Sequence, residues 1–596
     1  MREFSSPPTY TVPARGSLAD DIVRNGTSHP DSVAFSVRDG DGWSPVTAEQ
    51  FLTEVRAVAK GIVAAGVGPG DRVGLLSKTR YEWTLVDYAI WYAGAVTVPI
   101  YETSSAEQVE WILGDSGARA VVVETVEHRR GVEQAATAAQ RPVDVWCLEE
   151  GAVDVLRARG GEVSDELLEE RREAVTPSSH ATIIYTSGTT GRPKGCTLTH
   201  GNFMFEVGVA VEELDELFLG EDPATLLFLP LAHVFARVIQ VAAVRARVRL
   251  GHSADVRHLV TDLGQFRPSF VLAVPRVFEK VFNTASQNAA ADGRSRVFDS
   301  AVRTAIAHSR ASEHRRPGLP LRIRHSLFDR LVYGRLRAAL GGRCAYAVSG
   351  GAPLGERLGH FYRGIGVTVL EGYGLTETTA AITVNRPDAL KIGTVGRPLG
   401  GTAVRVADDG ELEVKGGQVC AGYWGNDAAT EEVLGADGWL RTGDLAEIDD
   451  EGFVRITGRK KEILVTAGGK NVAPSVLEDR IRAHALVDQC MVVGDGRPFI
   501  AALVTLDPDA VKVWAGNHGK SSSVADLVDD DSLRAEVQSA VDEANKAVSK
   551  AESVRKFVIL PDAWTEEGGQ LTPSLKLRRA VVMGESRGVV EELYSR

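Results

Sequence analysis

The chain has 596 residues, 44% hydrophobic and 25% charged, with 61 glycines and 24 prolines, which excludes a disordered, collagenous or low-complexity protein. Its formal charge of −13 repels polyanions and excludes nucleic acid as a main partner. The five cysteines, Cys147, Cys196, Cys344, Cys420 and Cys490, form no C-x-x-C pair, which argues against a disulfide scaffold or a cysteine zinc site and fits a reducing cytoplasm.

In chain order, the first thirty residues lack a basic start followed by an apolar run, so no secretory signal is expected. From residue 46 the pattern predicts helix 46–65, strand 72–77, helix 82–93, strand 97–100, helix 106–116 and strand 120–124. The alternation returns with strands at 181–187, 225–229, 247–251 and 269–274 and a helix at 258–266. Strand and helix in turn predict a mostly parallel sheet with helices on both faces. The best membrane-span candidate, 225–244, is interrupted by Pro230, His233, Arg237 and Gln240 and is not expected to cross a bilayer.

Residues 284–340, rich in Ala, Arg, Asp and Ser and broken by Pro317 and Pro320, read as a solvated helical excursion. Beyond 390, short alternating segments punctuated by glycine predict antiparallel β-structure at 411–414 and 453–456. A smaller unit follows Gly458: helix 474–483, strands 488–494 and 499–506, a surface loop at 516–531, helix 532–552 and strand 557–560. The expected fold class is therefore α/β, with a large N-terminal domain of stacked α/β subdomains plus a β-rich portion, residues 1–457. A hinge at 458–461 joins it to a small mobile α+β domain, 462–596.

The segment most informative about chemistry runs from Ile184 to Gly195, directly after an apolar strand. Glycines among hydroxyl residues make a loop whose backbone N–H groups and hydroxyls can face phosphate oxygens, with Lys194 supplying positive charge. No G-x-x-x-x-G-K-[ST] pattern can be laid on it, so it is not a Walker A loop. The Gly519-Lys520-Ser521 triplet is a decoy: Trp514 stands where the first Walker glycine belongs, and no apolar strand precedes it.

Residues 185–195 resemble the phosphate loop of the adenylate-forming superfamily, which includes acyl-CoA synthetases, peptide-synthetase adenylation domains and firefly-type luciferases. Further segments match in order over essentially the whole chain, at 371–378, 441–444, 458–462 and 571–576. The resemblance implies that Thr186, Ser187, Gly188, Thr189, Thr190, Gly191 and Lys194 hold the phosphates of ATP. It implies an adenine pocket of Gly372, Tyr373, Gly374, Leu375 and Thr376, and makes Gly350, Gly351 and Ala352 nucleotide-binding as well. Glu377 with the hydroxyl of Thr186 would ligate Mg²⁺, which prefers hard oxygens shared with nucleotide phosphates. Asp444 would accept from the ribose hydroxyls, Arg459 would contact the nucleotide, and Lys461 would be the hinge.

By the same resemblance Lys576 is the catalytic lysine, a cation that bridges an attacking carboxylate and the α-phosphate. Gly468, Gly469 and Lys470 match the region where coenzyme A enters; a plain turn is the alternative reading there. The resemblance implies an acyl pocket of His233, Val234 and Phe235, with His233 a catalytic residue beside the carboxylate and adenylate, as Glu377 and Thr186 are through the metal. A tryptophan that gates the acyl tunnel in one type of long-chain enzyme falls near Arg237 here. The spellings at 275–280, 468–474 and 572–577 resemble the long-chain fatty acid branch. The expected activity is formation of an acyl adenylate from ATP and a fatty acid, then acyl transfer to coenzyme A. The alternatives are an acyl-AMP ligase loading a carrier protein, an adenylating ligase for another carboxylic acid, or a nucleotide-binding scaffold without turnover. A hydrophobic substrate makes transient contact with the inner membrane face an expectation, although no amphipathic anchor stands out in the sequence.

Overall fold

The computed structural model describes residues 1–596 apart from 41, 187–191, 315, 573–575 and 596. It is a mixed α/β protein with 45% helix and 22% strand, as the alternating pattern predicts. One large sheet has seven strands, in the spatial order Gly422–Tyr423, Lys194–Thr199, His180–Thr186, Val96–Ile100, Arg72–Leu76, Ala120–Val123 and Asp144–Cys147. Its last five strands run parallel, and the first two are joined to them through successive antiparallel pairings. A second sheet has nine strands, with the parallel set Thr368–Tyr373, Tyr346–Ser349, Phe270–Ala273, Ala224–Leu227, Arg249–His252 and Val33–Asp39 at its centre.

The largest core cluster draws residues from both sheets and from the helices Ala48–Ala64, Tyr81–Tyr92, His200–Glu213 and Val234–Ala246, so these helices form a layer between the sheets. A helix covered on all sides must be apolar all round. Tyr81–Tyr92 is buried along its length, with Trp83, Tyr88 and Trp91 fully enclosed. The same burial explains why 225–244 resembles a membrane span: it is a short core strand followed by the core helix Val234–Ala246. No helix of the described residues is long and apolar enough to cross a membrane.

Within this layer Arg237 is completely buried against Asp87. Its Nε donates to Asp87 Oδ2 at 2.9 Å, a second guanidinium nitrogen donates to Oδ1, and Nη1 donates to Thr182 Oγ1 at 2.6 Å. Thr97 Oγ1 and Gln240 Nε2 also donate to Asp87, at 2.8 and 3.3 Å. The guanidinium lies 5.0, 5.4 and 5.8 Å from the ring centres of Trp91, Trp83 and Phe203, within cation–π range. The residue at the expected tunnel-gate position is therefore a tie between two core helices.

The excursion is not simply solvated. Helices Pro275–Ala291, Ser295–His314 and Leu319–Phe328 and the wider turn Asp329–Tyr333 build a second core with Phe282, Phe298, Ala301, Ala305, Phe328, Tyr333 and Leu336. Their inner faces carry apolar side chains at helical spacing, which the abundance of charge on the outer faces obscures.

A five-stranded antiparallel sheet supplies the β-rich part, with Glu411–Lys415, Leu440–Ile448 and Val454–Arg459 at one end of its strand order. The unit beyond it has the antiparallel pair Val487–Val493 and Ile500–Leu506, with Val554–Ile559 parallel to the latter. The segment 516–531 is more ordered than a surface loop. Helix Pro508–His518 runs into it and ends at Gly519 in the left-handed region, Val524–Leu527 is helical, and Lys520 pairs with Asp530 at 2.6 Å. The Gly519-Lys520-Ser521 decoy is thus a helix C-terminus. The following helix stops at Asn545 rather than 552, and the helices Arg579–Glu585 and Arg587–Ser595 close the chain.

Removing one member of a buried ion pair strands the other charge, at a cost of about 3–5 kcal/mol, whereas replacing both with apolar groups costs far less. Arg237→Met should therefore lower the thermal midpoint markedly. Asp87→Leu combined with Arg237→Met should recover much of the loss, as read by calorimetry on the single and double variants.

Candidate active site

In open α/β sheets, ligands gather beyond the carboxyl ends of parallel strands. Three such ends meet the predicted site: Thr186 on His180–Thr186, Ser349 on Tyr346–Ser349, and Tyr373 on Thr368–Tyr373. Ser187, Gly188, Thr189, Thr190 and Gly191 lie outside the described residues. Thr186 and Lys194 are paired across the antiparallel strands that flank this loop. The Lys194 ammonium lies 5.2 Å from the ring centre of Tyr423, whose hydroxyl donates to Glu377 Oε1 at 2.7 Å. Tyr423 thereby sets Glu377 beside the strand pair.

Glu377 sits in the short 3-10 turn Thr376–Thr378, and its surroundings fix that turn strongly. The Glu377 carbonyl accepts from Cys420 N at 2.8 Å, Thr379 Oγ1 donates to the Gln418 carbonyl at 2.7 Å, and Ala380 N donates to the Leu375 carbonyl at 3.1 Å. Thr379 and Ala380 have φ of 51° and 94°, a region costly for side chains with a Cβ. The bend lays the Ala380 carbonyl against Gly374, where a Cβ would stand 1.5 Å from that oxygen, so position 374 admits only glycine. Ala381 N donates to Oε1 of Glu206 at 3.1 Å. Glu206 is fully buried, its Oε2 has no hydrogen-bond partner among the described residues, and burial, with the charge of Glu213, raises its carboxyl well above the usual range.

Tyr373 OH donates to Asp444 Oδ2 at 2.6 Å, and Arg459 Nε donates to Asp444 Oδ1 at 2.9 Å. Asp444 and Arg459 are register partners on adjacent strands. Gly350 packs against Gly372 and Phe235: a Cβ there would come within 3.4 Å of the Gly372 carbonyl and 3.1 Å of the Phe235 ring. Gly351 has φ of +83°, and Ala352 is exposed next to it.

His233 caps helix Val234–Ala246, its Nδ1 accepting from Phe235 N at 3.2 Å. Part of the ring still faces the cleft, yet the surrounding protein, and secondly the charge of Lys576, push its pKa down to about 4. The ring is therefore neutral, and with Nδ1 accepting, Nε2 carries the proton and is available as a donor. Of the expected acyl-pocket residues, Val234 is instead enclosed in the main core, and Phe235 fills the space beside Gly350.

Lys576 stands beside the bridge between Leu571 and Leu577, with Thr572 N donating to the Lys576 carbonyl at 2.8 Å. Its side chain opens onto the cleft. Protein crowding lowers its pKa first, then the positive charge of Arg459, against the opposing pull of Asp444, Glu377 and Glu462. Lys576 is thus within electrostatic reach of Glu377, Asp444, Arg459 and His233. Arg276 on the helix Pro275–Ala291 ties the N-terminal part to the small unit, pairing with Asp488 and lying 3.8 Å from Asp507.

Two groups of predicted residues stand apart from this cluster. Lys461 is exposed in the 3-10 turn Lys460–Glu462 that follows Arg459. Gly468, Gly469 and Lys470 form the exposed tip of a hairpin between Leu464–Val465 and Asn471–Val472, where Lys470 pairs with Glu552 at 3.4 Å. Sequence reasoning missed Glu206, Tyr423 and Arg276. An acid among Phe203, Met204, Phe205 and Val207 is a readable sign of an unusual buried group. Tyr423 and Arg276 had none, because their partners are remote in sequence.

For Mg²⁺, the described residues contain no group of three or more His, Cys, Asp or Glu side chains able to hold a metal. Glu377 fits the ion's other common mode, one carboxylate shared with substrate phosphates, because its Oε2 accepts no hydrogen bond from any described residue.

An AMP-binding enzyme model matches residues 22–424, and an AMP-binding enzyme C-terminal domain model matches 461–596. The long-chain-fatty-acid–CoA ligase FadD15 of Mycobacterium bovis is 49% identical over 601 residues, and that of Mycobacterium tuberculosis 48%, each alignment covering 100% of both chains. Among solved structures, the A domain of a carboxylic acid reductase from Segniliparus rugosus has a TM-score of 0.75 at 21% identity, covering 97% of this chain and 94% of that one. The o-succinylbenzoate–CoA synthetase of Bacillus subtilis, in complex with ATP and magnesium, has a TM-score of 0.67 at 21% identity, covering 94% and 98%. With more than half of its length matched, the chain belongs to the AMP-binding enzyme family.

Proposed function

We propose that the chain is a long-chain fatty acid–CoA ligase that forms AMP, with residues 1–457 as the adenylation domain, 458–461 as hinge and 462–596 as the mobile domain. The observation that carries the adenylation reading is the hydrogen-bonded set of Tyr373, Asp444 and Arg459, with Lys576 within electrostatic reach of Asp444, Arg459, Glu377 and His233. The fatty acid reading is supported by identity with the mycobacterial ligases along the whole chain.

A carboxylate is a poor acyl donor because its oxygen is a poor leaving group. Its attack on the α-phosphate of ATP gives acyl-AMP and expels pyrophosphate; attack of the coenzyme A thiol then gives the thioester and expels AMP. The first step brings two anions together. Lys576 neutralises charge on both and holds them in line, and the Nε2–H of His233 donates to an oxygen of the carboxylate or adenylate. Asp444 receives the ribose hydroxyls, and Tyr373 presents its ring to the adenine. Glu377 and Thr186 would hold Mg²⁺, which when bound offsets phosphate charge. For the second step the small domain turns about Lys461, carrying Lys576 away and bringing the Gly468, Gly469 and Lys470 hairpin toward the thiol path.

Product analysis by mass spectrometry, with ATP, Mg²⁺, coenzyme A and a mixture of fatty acids, tests the reading. Long-chain acyl-CoA with AMP is expected; acyl-AMP without acyl-CoA would favour a carrier protein as acceptor. Lys576→Ala should slow adenylate formation by about 10²–10³, the usual cost of one charge-stabilising group, yet leave thioester formation from supplied acyl-AMP nearly intact. Parallel losses in both half-reactions would contradict its role. The pH profile follows from the shifts. Lys576 acts as a cation, so adenylation should fall as pH rises through a midpoint below the 10.5 of an ordinary lysine. His233, already neutral above about 4, should add no step near 6.5.

A further inference from the structure

The helix Leu319–Phe328 and the turn Asp329–Tyr333 carry an outer face unlike the rest of the surface. Leu319, Ile323, Leu327 and Leu331, spaced four residues apart, are 65%, 64%, 56% and 53% exposed. The opposite face is anchored: Phe328 and Tyr333 are buried, His325 bonds the Gly364 carbonyl at 2.6 Å, and Arg324 donates to Ser300 at 2.8 Å. The apolar row is therefore held outward by packing beneath it.

Arginine surrounds the row. Arg316, Arg322, Arg330 and Arg335 are all exposed and form no ion pair with any described residue. The nearby carboxylates are committed, Asp329 to Arg337 at 2.6 Å and Glu313 to Arg363 at 3.6 Å. In a chain of charge −13 this is a local reversal of sign.

We propose that this face docks the protein on an anionic lipid bilayer, the row entering the interface between headgroups and acyl chains while the arginines meet lipid phosphates. Exposed apolar side chains with a basic rim are the features of an interfacial helix, and each arginine near an anionic surface contributes about 1 kcal/mol. A second copy of the chain fits poorly, because a two-fold contact through this face would set unpaired arginines against arginines. A convex row of separate side chains suits a fluid surface, which conforms to it. The rest of the acidic surface is repelled by such a membrane, so the attachment has one orientation. The proposal concerns a surface remote in sequence from the site residues and is scored without turnover, so its failure leaves the ligase reading untouched.

The test is flotation of the full chain with vesicles of phosphatidylcholine alone or mixed with phosphatidylglycerol. Wild-type protein should float with the mixed vesicles, and binding should weaken as salt rises. Ile323→Asn with Leu327→Asn, and separately Arg322→Gln with Arg330→Gln, should each reduce vesicle binding by about tenfold or more, at 0.8 kcal/mol per buried methylene and 1 kcal/mol per arginine. All four residues are exposed, so the thermal midpoint of each variant should stay at the wild-type value. No flotation, equal flotation on both vesicles, or variants that float like wild type would each overturn the proposal. So would a concentration-dependent dimer that the Asn variant abolishes without vesicle binding.

Discussion

The pairing of Asp87 with Arg237 is the constraint on which the N-terminal part turns. Two helices enclosed between two sheets have no solvent face to set their rotation, and apolar packing alone tolerates small slips along and around an axis. A fully buried arginine that must meet one carboxylate, one threonine hydroxyl and three aromatic faces tolerates none. It lies four residues after His233, so the same contact that registers helix Val234–Ala246 in the core also fixes the ring at its N-terminus. Core specificity and site geometry are here one interaction.

Much of the architecture was readable because local and global signals agreed. Helix 106–116 coincides with Ala106–Ser116, where Ser105 and Gln108 form a capping box, and the seven strands expected between 72 and 274 fall within two residues of their apolar runs, whereas Val33–Asp39, Asp144–Cys147, Tyr346–Ser349 and Thr368–Tyr373 were not expected. What escaped reading had opposing local signals. Helix Val234–Ala246 is apolar enough to resemble a membrane span, and Arg237 looked like an interruption when it is the tie to Asp87. The excursion at 284–340 hides Phe298, Phe328 and Tyr333 under a polar composition, and its outward leucines look like an ordinary buried stripe. Helix Pro508–His518 was lost in a stretch of Gly, Asn, His and Ser at its end.

The candidate site was readable to a different degree. Strings such as Gly372 to Glu377 and Arg441 to Asp444 name chemistry because their residues are local to one turn or strand. The contacts that aim those residues are not local. Glu377 depends on Tyr423 and on the backbone of Gln418 and Cys420, and the strained Ala380 bend depends on Glu206 in a distant helix. Position 374 must be glycine because of a carbonyl six residues later, a steric fact invisible without the folded chain.

The contact between Arg459 and Asp444 has a consequence beyond holding a carboxylate still. Each Asp444 oxygen accepts one strong donor and keeps a second lone pair, so a sugar diol can add to the carboxylate without displacing Tyr373 or Arg459. Arg459 is also the last strand residue before the Lys460–Glu462 turn. Whatever angle of the small domain best preserves that guanidinium contact is then the angle at which nucleotide binds most tightly, and by linkage an occupied sugar site biases the angle by the same free energy. Nucleotide occupancy and domain orientation become two readings of one equilibrium.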